Sequence, residues 1–93
     1  MDDTRGLSSG PQDNWCVYMV RCADGTLYTG IAKNAPARVE QHNAGTGAKY
    51  TRSRRPVTLV YQENHTDRGS ALKREHAIKQ LSAVQKLRLS DAQ

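Results

Sequence analysis

Apolar and aromatic residues first crowd together in WCVYMVRC, Trp15 to Cys22, after a polar leader that has no such run. That block reads as a strand, ADGT as a turn, and LYTGI, Leu27 to Ile31, as the returning strand of an antiparallel hairpin. NAPARVEQHNAG has a different rhythm: Asn34 or Ala35 opens a helix, Pro36 sits near its first position, and Gly45 stops it. VTLVYQE, Val57 to Glu63, is a third strand, and TDRGSALKREHAIKQLSAVQKLRLS carries one or two helices. The order β-β-α-β-α(-α) describes an α+β fold.

Composition narrows the setting of those elements. The 93 residues suffice for one domain with a modest core, and with no Phe and one Trp the aliphatic residues and four tyrosines must supply most of it. Residues 1–13 read as a flexible leader, 14–90 as the domain and 91–93 as a tail. The formal charge of +5 favours a polyanionic partner. Nucleic acid ranks ahead of a membrane, because no segment approaches the roughly 18 apolar residues of a span. The first 13 residues also lack the apolar core of a signal peptide, so a cytoplasmic location is expected. Cys16 and Cys22 lie on one expected strand, where six residues span roughly 20 Å, beyond disulfide reach. No Cys/His cluster suits zinc, so both thiols read as packing residues in a reducing compartment.

The turn decides whether Tyr18 and Tyr28 belong together. A two-residue turn, Asp24-Gly25, pairs Ala23 with Thr26 and sends the tyrosines to opposite faces. A three-residue loop, Ala23 to Gly25 with Gly25 left-handed, pairs Cys22 with Thr26 and Val20 with Tyr28, so that Tyr18 lies diagonal to Tyr28 on one face. The sequence suits both.

Three further patterns carry potential chemistry. Arg38 and His42 are four apart and share a helix face; they are either a phosphate clamp or a solvated pair, and the spacing alone favours the second. Glu75 falls within the apolar stripe of Ala71, Leu72 and Ile78, where a carboxylate is costly unless neutralised. Two readings balance there: a helix pair with Lys79, or a ligand for a hard cation. TGAKYTRSRRP, expected as a loop, holds Lys49, Arg52, Arg54 and Arg55 with no acid. It is either a solvated loop or a set of phosphate contacts that reads no bases.

Cys16-Val17-Tyr18, Tyr28-Thr29-Gly30, Arg38, His42 and Glu75, in that order, resemble the GIY-YIG nuclease superfamily from about Trp15 to Leu89, in particular its small stand-alone bacterial (YhbQ-like) group. QHNAGTGAKYTRSRRPVTLVY is also similar to the catalytic domain of eukaryotic structure-specific endonucleases of that superfamily. The resemblance implies a three-stranded antiparallel sheet flanked by helices. It implies that Tyr18 and Tyr28 line an active-site face around the attacking water, that Arg38 stabilises the scissile phosphate, and that Glu75 is the single acidic ligand of one Mg²⁺ or Mn²⁺. His42 stands where some branches have tyrosine and others histidine. Two departures matter: Cys-Val-Tyr replaces Gly-Ile-Tyr, and Ile31 stands where the excision-repair nucleases have lysine. His42 is the residue available to compensate for that lysine.

The implied reaction is endonuclease-type phosphodiester hydrolysis that leaves a 5'-phosphate and a 3'-hydroxyl. A phenol ordinarily titrates at about pH 10, so it acts as a base near neutral pH only beside a cation, which the clustering with Arg38 and a metal would supply. DNA is favoured over RNA, in repair or recombination. The chain has neither a second DNA-binding module nor a RING-like cysteine set, so selectivity must come from substrate structure or from a protein partner. The competing class is a catalytically weak nucleic-acid-binding module that uses the basic loop; such a module needs no carboxylate in an apolar stripe.

Overall fold

The computed structural model describes residues 14–92. The leader expected over residues 1–13 therefore lies outside the described residues. Strands β1 (Trp15–Arg21) and β2 (Leu27–Ala32) form the hairpin, with Val20 opposite Tyr28 and Tyr18 opposite Gly30. This is the register of the three-residue loop. Cys22 N–H donates to Thr26 O at 2.8 Å, Gly25 N–H donates to Cys22 O at 2.9 Å, and Gly25 has φ 86°, a left-handed conformation that glycine adopts at no steric cost. Asp24 Oδ1 fixes the turn by accepting from the backbone N–H and the hydroxyl of Thr26.

Strand β3 (Thr58–His65) pairs antiparallel with the other side of β1, giving the order β2-β1-β3. It begins and ends later than Val57 to Glu63, because Asn64 and His65 continue the ladder opposite Cys16 and Trp15. Central β1 is covered on both faces, which is why its sequence runs apolar without alternation. Cys16, Tyr18, Val20 and Cys22 join one cluster, with Ala35 and Val39 of helix α1 (Ala35–Ala44). Val17 and Met19 join the other, with Ala71 and Ile78 of helix α3 (Arg68–Lys79). Both cysteines are buried, free thiols.

Local chemistry fixes the helix ends. Asn34 Oδ1 accepts from Ala37 N–H at 3.0 Å to start α1, with Pro36 in the first turn, and Asp67 does the same for α3 through Ser70. Ser82 and Gln85 form a reciprocal capping box ahead of helix α4 (Ala83–Asp91). The basic stretch is not wholly loop: Lys49–Arg52 make a one-turn helix, α2. Arg55–Pro56 is a cis peptide. An ion cluster joins β3 to α3, where the Glu63 carboxylate accepts from the Tyr61 hydroxyl, from His65 Nε2 at 2.7 Å and from Arg74 Nε at 3.0 Å. Burial would raise the Glu63 carboxyl, but these donors outweigh it and hold it below its ordinary pKa. No helix among the described residues is long and apolar enough to cross a membrane.

Candidate active site

Tyr18 lies at the centre of β1 with 1% of its surface exposed, its ring over Gly30 of the neighbouring strand. A Cβ at residue 30 would stand 2.7 Å from the Tyr18 hydroxyl, so the glycine is the space the phenol occupies. The hydroxyl lies 2.8 Å from Nε2 of His42, in the last turn of α1. The Arg38 and His42 pair is not the solvated one that spacing favours, because His42 is fully buried.

Beyond His42 the polar chain continues inward. Nδ1 is 2.7 Å from Oγ1 of Thr51, and that hydroxyl donates to Ala48 O at 2.9 Å. The Ala48 N–H donates toward Nδ1 at 3.4 Å. Two proton arrangements satisfy these contacts: with the Thr51 proton on Ala48 O the hydroxyl accepts from Nδ1–H and Nε2 accepts from Tyr18, and with Nδ1 accepting from Thr51 and Ala48 the proton lies on Nε2. Burial, and secondarily the Arg38 cation, hold His42 below its ordinary pKa, so it is neutral at neutral pH. Burial raises Tyr18 above that of a free phenol despite the neighbouring Arg38, so the dyad rests as phenol and imidazole.

Tyr28 and Arg38 complete one side of the site. The Tyr28 ring meets the His42 imidazole edge-on, with centroids 5.4 Å apart. Arg38 is partly exposed on α1, one turn before His42, with Nη1 donating to Gln41 Oε1 at 2.7 Å. Glu75 arrives from the other layer, since α3 packs against the opposite face of the sheet. Its side chain is 18% exposed and pairs with Lys79 at 3.3 Å, and its charge is the smallest of the influences raising Tyr18. The ion pair with Lys79 therefore exists, and the carboxylate stays within electrostatic reach of the phenol. Among the described residues no three His, Cys, Asp or Glu side chains gather to hold a metal, so Glu75 is a lone carboxylate. Ile31 packs into the α3 cluster and brings no charge to the Tyr18 face.

The basic stretch is only partly free for phosphates. Arg54 Nε pairs with Asp24 at 3.0 Å and its Nη1 donates to Tyr50 O at 2.7 Å, while Arg55 donates to the carbonyls of Arg52 and Asn43. Two of the four expected phosphate contacts thus also brace the loop; Lys49 and Arg52 are exposed. Thr51 and Tyr50 are neighbours of the site that sequence reasoning misses. Thr51 follows His42 by nine residues with a turn between, a separation that no helical or strand period connects. Tyr50 stands inside a charge run, where an aromatic reads as incidental. The one available signal is that YT interrupts an otherwise basic stretch.

Comparison with known proteins identifies the family and agrees with the fold. The GIY-YIG catalytic domain matches residues 14–88. A UPF0213 protein of Staphylococcus aureus (strain Mu3) is 58% identical over 77 residues, covering 83% of this chain and 94% of that protein. The solution NMR structure of a UPF0213 protein from Bacillus halodurans superposes with a TM-score of 0.56 at 36% identity, covering 86% of this chain and 85% of that one. That of a protein from E. faecalis gives 0.54 at 39% identity, covering 81% and 82%. With the tyrosines on one face, the arginine helix above them and a match spanning most of its length, this chain belongs to the GIY-YIG nuclease family.

Proposed function

We propose that this protein is a divalent-cation-dependent endonuclease that hydrolyses phosphodiester bonds, with DNA as its substrate and selection by structure rather than sequence. The observation that carries the reading is the 2.8 Å contact between the Tyr18 hydroxyl and Nε2 of His42, and in the tautomer with its proton on Nδ1 toward Thr51 this Nε2 is the acceptor. A buried phenol is a poor base by itself, and burial raises it further. As a relay it needs no phenolate: Tyr18 takes the proton of the attacking water while passing its own to His42. The phenol stays neutral throughout, and the imidazolium keeps its Nδ1 proton on Thr51.

Arg38 connects substrate to base. Its guanidinium would hold a phosphoryl oxygen, and the same charge helps depress His42 in the free protein. A phosphodiester seated on Arg38 offsets that charge and makes His42 more basic when it is needed. Glu75 would hold a Mg²⁺ or Mn²⁺, a fit for ions that take one carboxylate, several waters and substrate oxygens. Such an ion supplies charge for the leaving 3'-oxygen. Two buried thiols suit a reducing, cytoplasmic setting.

The experiment is cleavage of labelled branched, nicked, single-stranded and duplex DNA, and of RNA, with Mg²⁺, Mn²⁺ or EDTA, by the wild type and by Tyr18→Phe. Metal-dependent cleavage lost in Tyr18→Phe is expected. Binding without cleavage on every substrate would replace this reading with that of a nucleic-acid-binding module.

A further inference from the structure

Tyr50 is one of three large hydrophobic residues exposed among the described residues, and the only one beside the site; the others, Val84 and Leu87, lie on α4. It is 39% exposed, yet firmly held. One face of its ring stacks on Tyr28 with centroids 5.8 Å apart and an interplanar angle of 22°. Tyr28 in turn meets His42, the partner of Tyr18, so three rings step from the surface to the buried dyad. The Arg54 guanidinium also lies over the Tyr50 ring, 3.9 Å from its centroid, and a stacked ring and a guanidinium this close fit best on opposite faces. Arg54 is held there by the exposed pair with Asp24 and by the Tyr50 carbonyl.

A flat cation over an exposed ring fills the space that a nucleobase fills when it stacks. A base on an aromatic side chain binds more strongly than an exposed cation–π contact, and exposed ion pairs are weak, so exchange of one for the other is favourable. Lys49 and Arg52, exposed in the same turn of helix, supply charge for the phosphates on either side. Only the outer face of Tyr50 is exchangeable, so the place holds one base.

We propose that Tyr50 seats one unpaired nucleobase beside the bond to be cut, in the place that Arg54 occupies in the free protein, and that the substrate must therefore present an unstacked base there. This deepens the nuclease reading by naming its substrate class: strands with a gap, flap or single-stranded run. Every base has a stacking face, so the seat selects the unpaired state without selecting a sequence.

The test is binding in EDTA, so that it stays readable even if no metal-dependent cleavage is found. Single-stranded DNA, single-stranded RNA, a duplex with a one-nucleotide gap and a continuous duplex, each carrying 2-aminopurine at successive positions, are titrated with wild type, Tyr50→Leu and Tyr50→Phe. Tyr50→Leu should weaken single-stranded and gapped ligands by roughly tenfold to a hundredfold and leave continuous duplex within about twofold. Tyr50→Phe should restore binding, and 2-aminopurine should be quenched at one position by wild type and Tyr50→Phe only. The salt dependence should not change, since no phosphate contact is lost. Equal weakening on continuous duplex, failure of Tyr50→Phe to restore, or absence of quenching by wild type at every position would overturn the proposal. Because this last result needs no variant, it holds even if Tyr50→Leu does not fold. Weaker quenching on RNA than on DNA, or the reverse, identifies which polymer the seat serves.

Discussion

Replacing Thr51 by valine keeps a fully buried shape and removes one oxygen. The loss falls on a single group. Ala48 O still accepts from the Thr51 backbone N–H at 3.2 Å, so in the tautomer the proposed relay requires only the His42 Nδ1 proton is orphaned. A buried donor without a partner costs about 1–3 kcal/mol. The imidazole has an escape, however: it can move its proton to Nε2, donate to Tyr18, and let Nδ1 accept from the Ala48 N–H, now 3.4 Å away. That exchange caps the penalty near the lower end, about 1–2 kcal/mol, or roughly 4–16 °C of melting temperature for a domain of this size. It also reverses the polarity of the relay, since an Nε2 that carries a proton cannot take one. Cleavage should therefore fall about a hundredfold or more, far beyond what the loss of stability explains. Urea unfolding gives the first number and single-turnover cleavage the second, while nitrogen NMR of labelled histidine reads the tautomer directly. Thr51→Ser, which keeps the hydroxyl, should restore all three. A wild-type His42 protonated at Nε2, or a Thr51→Val protein that cleaves normally, would refute the reasoning.

Acid should unfold the protein in two windows. His42 is held below its ordinary 6.5 and Glu63 below its ordinary 4.5, so in each case the unfolded chain binds the proton more readily. Stability is then full above those values and falls as pH drops through each folded pKa; urea midpoints against pH should show both windows, and His42→Gln should remove only the upper one. Glu75→Gln should abolish most Mg²⁺-dependent cleavage while the fold persists, whereas Lys79→Ala should cost a few tenths of a kcal/mol and spare cleavage. Mg²⁺ titrations of both variants decide this, and near-normal cleavage by Glu75→Gln would overturn the metal role. Arg52→Ala should flatten the log-log salt slope of duplex binding by about one unit, an isotherm series being the measurement. Arg55→Ala should instead lower the melting temperature, because its guanidinium holds two backbone carbonyls.

Much of the architecture is legible because short-range chemistry decides it. Asn34 and Pro36 open one helix, Gly45 closes it, and the apolar run of WCVYMVRC reads as a strand, whose cover on both faces the structure adds. The hairpin register is not decided by pattern, since Asp24-Gly25 suits either turn; the hydrogen bonds of Cys22 and Thr26 with the loop settle it. The helix at Lys49–Arg52 reads as loop because one turn is too short for a periodic signal. Within the site, Arg38 and His42 are visible as a pair at helical spacing, but the burial of His42 is not. Burial there comes from Tyr18, Tyr28 and Thr51, brought from three separate segments, and a contact across such separations leaves no local trace. Glu75 stands out because a charge in an apolar stripe demands a partner, and Lys79, four residues on, is the one the structure shows.

Two residues with no side chain record the state of this site better than its polar groups do. A Cβ on Gly30 would press on the Tyr18 hydroxyl, and a Cβ on Gly47 would stand 2.9 Å from the His42 Cα, a backbone atom that cannot step aside. Tyr18 with Gly30, and His42 with Gly47, are thus sterically coupled: a side chain at either glycine forces its partner to move. A relative with a larger residue at either position is therefore expected to lack the proposed relay, even where the tyrosine and the histidine are still spelled in its sequence. Assaying relatives sorted by positions 30 and 47 checks this, and an active relative with alanine at both would break the rule.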